Sequence, residues 1–91
     1  MAAPVTAPIP AALREALEQY LRTVLTSAAR AQAGGPVSAA AVAAGAGCAH
    51  DLRHSAEWAH RRRFELATLE SFATSVGARC DHELWRHLRA S

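Results

Sequence analysis

Lysine does not occur in this sequence. All ten basic residues are arginine, and against eight acidic residues they leave a formal charge of only +2. A domain built to hold nucleic acid is expected to be clearly basic, so this balance argues against a dedicated nucleic-acid binder. Cysteine is scarce too. The two present, Cys48 and Cys80, are too few for the disulfide framework of small secreted domains and read as reduced thiols. Aromatic residues make up 5% of the chain, which limits the core to a few large side chains. No apolar run approaches the roughly 18 residues that cross a bilayer, and no glycine-rich phosphate loop is present. The first ten residues, MAAPVTAPIP, lack the basic and long apolar regions of a signal peptide, so a cytoplasmic location without membrane attachment is expected.

What is present is alanine, arginine and helical periodicity. Ninety-one residues make one small domain, with an expected stability of only a few kcal/mol when alone. Pro4, Pro8 and Pro10 predict an extended tail over 1–10, and a single helical domain fills 11–91. Leu13, Ala16, Leu17, Tyr20, Leu21, Val24, Leu25 and Ala28 recur at the spacing of one helical face, and Gly34, Gly35 and Pro36 end that helix. Ser38 is an N-cap for a short helix over 39–46, closed by Gly45 and Gly47. Residues 48–54 read as a loop. Ser55 then caps a long helix to about Val76, Gly77 stops it, and Asp81 caps a last helix through Leu88. The fold class is all-α, two longer helices alternating with two short ones.

Treated as one helix, residues 56–76 place Trp58, Ala59, Leu66, Leu69, Phe72, Ala73 and Val76 on a single buried stripe. Phe64 falls outside it, on the opposite side, where aromatics either edge a core or meet another subunit. In the run Arg61, Arg62, Arg63, successive side chains point in different directions, so the three do not address one ligand. Arg62 projects nearest the stripe, and a partly buried guanidinium there requires a carboxylate or carbonyl partner.

Cys48, His50, His54, Cys80 and His82 carry ligand types for a tetrahedral zinc ion, but their spacing is not that of an established Cys/His module. The expectation is therefore no metal, no cofactor and no catalytic residue on this chain alone. Neither cysteine has an evident base, oxyanion donors or orienting group to act as a nucleophile. Val42, Ala43, Gly47 and Leu52 resemble the first helix and turn of helix-turn-helix regulators. The likeness fades after Gly47, where Cys48 and Ala49 stand at the start of the expected recognition helix. A small DNA-binding regulator is the alternative reading.

The stretch LESFATSVGARCDHELWRHL supports a different family. Leu69 and Glu70, a glycine seven residues after the glutamate at Gly77, and Glu83 with Leu84 beginning six after that glycine follow a recurrent pattern. The segment is similar to paired helices in the N-terminal helical region of nitrile hydratase β subunits. Gly35, which precedes Gly77 by 77 − 35 = 42 residues, matches that region's earlier helix, glycine, helix unit.

The resemblance implies a non-catalytic small subunit of an enzyme that hydrates nitriles to amides. It implies an α-type partner holding cobalt or iron in a cysteine-rich claw, and a separate β-barrel subunit, as in the split chains of toyocamycin-type nitrile hydratases and thiocyanate hydrolase. The family's arginine after the first glycine has no counterpart in Ser38–Ala46, so either Arg53 or Arg62 takes that role or this chain contributes only packing. Phe64, Arg62 and Arg53 are the candidate subunit interface.

Overall fold

The computed structural model describes residues 9–90; the expected tail over 1–8, and Ser91, lie outside the described residues. Ile9 is buried in the core, so the apolar end of the expected tail is part of the packed domain. Five helices follow: α1 (Ala11–Ala33), α2 (Ala39–Ala43), α3 (Arg53–Arg62), α4 (Leu66–Ser75) and α5 (Asp81–Ala90). The described residues contain no strand, and the fold is all-α.

α1 is the hub. Leu17, Leu21, Leu25 and Ala29, one per turn, are buried against α2, α3 and α5. Each of those leucines contributes about 1.5–3 kcal/mol relative to an exposed side chain. α5 supplies Leu84, Trp85 and Leu88 to the same core, and α3 supplies Trp58 and Ala59. A polar staple joins α1 to α5. The Trp85 indole donates to Glu18 at 2.9 Å, and Arg22 holds the same carboxylate from the next turn at 2.9 Å. α4 is attached mainly through α3, where Leu69 and Ala73 face inward.

The expected helix ends are instructive. Ser38 caps α2, its hydroxyl accepting from the Ala41 N–H at 3.1 Å. Gly77 stops α4 with φ 77°; its N–H donates to Thr74 and that of Ala78 to Ala73. This pair of bonds defines a left-handed helix stop.

The long helix expected from Ser55 to Val76 is in fact two. Arg63 turns left-handed at φ 54°, its N–H donating to the His60 carbonyl while the Phe64 N–H donates to Ala59 at 2.8 Å. The break rotates everything after it relative to the continuous projection. Leu66, expected on the buried stripe, is exposed at 43%. Phe64, expected opposite Trp58, packs on it with ring centroids 5.8 Å apart. Residues 63–65 form the whole link between the helices.

Ser55 is not the N-cap of α3, which begins at Arg53, and Asp81 is the first residue of α5 rather than its cap. The two meet instead. Asp81, fully buried, accepts from the Ser55 hydroxyl at 2.6 Å and from the backbone N–H groups of Ser55 and His54, each at 2.9 Å. One carboxylate thus caps α3 from 26 residues away and brings the N-termini of α3 and α5 together.

Candidate metal centre

Three of the five expected ligand-type residues converge beside that junction. One side-chain donor atom each from Cys48, Cys80 and His82 lies within 4.8 Å of the others.

Cys48 is placed by the loop after α2. Gly47, at φ 81°, presses against α1 so closely that a Cβ there would stand 2.6 Å from the Leu25 carbonyl oxygen and 2.7 Å from the Ala29 nitrogen. No larger residue fits without moving the hub helix. The Cys48 N–H donates to the Gly45 carbonyl at 3.0 Å, and its sulfur accepts the His50 N–H at 3.3 Å. His50 itself is left-handed at φ 66°. One residue on, the Asp51 carbonyl accepts the Asp81 N–H at 2.9 Å, so the loop is pinned to the start of α5.

Cys80 immediately precedes α5, and its carbonyl accepts the first helical bond, from Leu84, at 3.0 Å. Burial pushes its thiol up from the ordinary range, a hydrogen bond from the Glu83 backbone N–H pulls the other way, and the nearby Cys48 thiol adds to the upward shift. His82, in the first turn, is half-buried, with Nδ1 3.0 Å from the Cys80 sulfur. Its ring lies over Gly45, where an added Cβ would stand 3.4 Å from the imidazole. His50 and His54 are outside this convergence. The His54 backbone N–H is engaged by Asp81 instead.

The remaining candidates are dispersed. Arg53 is exposed and bonded to Asp51 at 3.1 Å, an ion pair that holds the Asp51 carboxyl below the usual range. Arg62, expected to be partly buried, is exposed; its guanidinium sits 5.9 Å from the centre of the Trp58 ring. Arg62 follows Arg53 by nine positions (62 − 53), which at about 100° per residue puts them on opposite sides of α3. Phe64 is half-buried on Trp58, the same ring that Arg62 lies over, on the side of α3 away from Arg53. The three therefore share no single flat surface.

α2 has five residues and is separated from α3 by the nine residues 44–52, whereas a helix-turn-helix joins its helices through about three or four. No helix among the described residues is long and apolar enough to cross a membrane. Comparison with protein families, curated proteins and solved structures finds no match to this chain.

Proposed function

We propose that this chain is a non-catalytic small subunit of a nitrile hydratase-like enzyme, packing against a metal-bearing α-type subunit and a β-barrel subunit. One observation carries the reading: the Leu-Glu, glycine, Glu-Leu pattern folds as a helix, a left-handed stop and a helix, α4 and α5, each packed on the rest of the domain. Leu69 and Leu84 are both buried, Gly77 supplies the left-handed stop, and Glu70 faces solvent. The pattern's leucines therefore serve the domain's own packing, Glu83 accepts the Arg79 N–H at 2.7 Å, and Glu70 is available to a neighbour.

In such an assembly the reaction adds water across R–C≡N to form the amide, with a cobalt or iron ion of the partner providing the Lewis acid. This chain does not supply that claw. Its two cysteines lie 32 residues apart (80 − 48) in a loop and before a helix, not in one contiguous cysteine-rich segment.

The test is reconstitution. Mixed with candidate α-type and β-barrel subunits encoded beside it, the chain should co-elute on size exclusion as a defined complex, and amide should form from a nitrile only when all are present. A chain that stays separate from those subunits, or that instead shifts duplex DNA in a salt-dependent way, overturns the proposal.

A further inference from the structure

We propose that Cys48, Cys80 and His82 form a binding site on this chain for one zinc-class divalent cation, held by two thiolates and one imidazole with an exchangeable fourth position. The inference goes beyond the subunit reading and does not depend on it.

The donor chemistry selects the cation. Two sulfurs and one nitrogen suit a borderline-soft ion that accepts tetrahedral geometry, and are poor partners for magnesium or calcium, which take oxygen ligands. Zinc bonds of about 2.3 Å to sulfur and 2.0–2.1 Å to nitrogen imply ligand separations of about 3.5–3.8 Å in a tetrahedron. The observed separations run from 3.0 Å, for Cys80 and His82, to at most 4.8 Å. They bracket the required values, so side-chain adjustments of about an ångström close the site without moving a helix.

The surroundings are those of a supported site. The Cys48 sulfur has the His50 backbone N–H directed at it, and such a donor stabilises a thiolate. Gly45 leaves room for the imidazole, Gly47 fixes the loop against α1, and Asp81 locks the start of α5 to α3. Both cysteines are less than a tenth exposed while His82 is half-buried, so the fourth position opens toward solvent on the imidazole side. Without metal, the Cys80 sulfur and His82 Nδ1 are hydrogen-bonded to each other at 3.0 Å. On binding, the cation displaces the thiol protons of Cys48 and Cys80, and both pass to solvent.

Cobalt(II) is the probe, added to the full-length chain kept reduced by a phosphine. One equivalent should produce tetrahedral ligand-field absorption and a thiolate-to-cobalt charge-transfer band, both lost when one equivalent of zinc is added, and zinc should raise the melting temperature. His82→Ala, at a half-exposed position, should preserve helicity and lower affinity by at least about tenfold, as even losses behind the ligands do. Cys48→Ser and Cys80→Ser should abolish the charge-transfer band, and His60→Ala, on the exposed side of α3, should change nothing. Absence of the band in the reduced, folded protein overturns the site. So does a cobalt affinity left unchanged by His82→Ala, or one lowered by His50→Ala in its place. If the serine variants fail to fold, the His82→Ala comparison alone decides.

Discussion

α3 and α4 are both ten residues long and are joined by three residues, yet their ends are made differently. α4 ends at a glycine and can be read from its own sequence. α3 ends at an arginine, and at its start the local Asp51 carboxylate takes only the Arg53 N–H, while those of His54 and Ser55 go to a carboxylate from the far end of the chain. Both C-termini carry the same pair of backbone bonds, with Arg63 and Phe64 in α3 matching Gly77 and Ala78 in α4. A left-handed stop is therefore a backbone event that glycine favours but does not own. At Arg63 a left-handed residue with a Cβ costs about 1 kcal/mol. The stacking of Phe64 on Trp58 repays that cost, as the apolar contact after such a stop commonly does.

The largest effect should come from the other end of α3. Asp81→Ala leaves the Ser55 hydroxyl and the N–H groups of Ser55 and His54 without their acceptor in a buried site. It should destabilise the chain by about 2–4 kcal/mol in denaturant titration. A loss below about 1 kcal/mol would mean that α3 is held by packing alone.

Phe64→Ala should lower stability of the isolated chain by about 1–2 kcal/mol, because the ring it removes is an intramolecular partner of Trp58. On a continuous helix the same substitution would spare the monomer and weaken only an assembly. Unchanged melting of the variant would restore the continuous-helix picture.

The smallest effects sharpen the comparison most, because the two stops should respond with opposite signs. Gly77→Ala places a Cβ at φ 77° and should cost about 1 kcal/mol, although nothing lies within 4 Å of that Cβ. Arg63→Gly relieves the same strain and should stabilise by about 0.5–1 kcal/mol, less whatever the freer unfolded chain takes back. Two changes of the same sign in chemical melts would show that the stops are not equivalent.

Several features were legible because their physical cause is local. The apolar spacing of α1 specifies its buried face, Ser38 reaches its own helix three residues on, and Gly77 needs no neighbour to adopt a left-handed turn. The break at Arg63 lacked such a mark, since arginine is an ordinary helix former and the contact that stabilises the turn appears only once Phe64 is rotated onto Trp58. The metal ligands were legible as residue types. As a cluster they were not, because their spacing in the chain follows no established module.

By itself the sequence determined an all-α chain, the inward face of its first helix, and the helix ends at Gly34, Ser38 and Gly77. Those follow from steric and hydrogen-bonding preferences that act within a few residues. Only the tertiary structure decided that α3 and α4 are separate, that Asp81 caps a helix begun 28 residues earlier (81 − 53), and that Cys48 meets Cys80 and His82. These arrangements depend on a loop seated against α1 and on two helix N-termini brought together by one buried carboxylate, contacts between residues that sequence spacing keeps far apart.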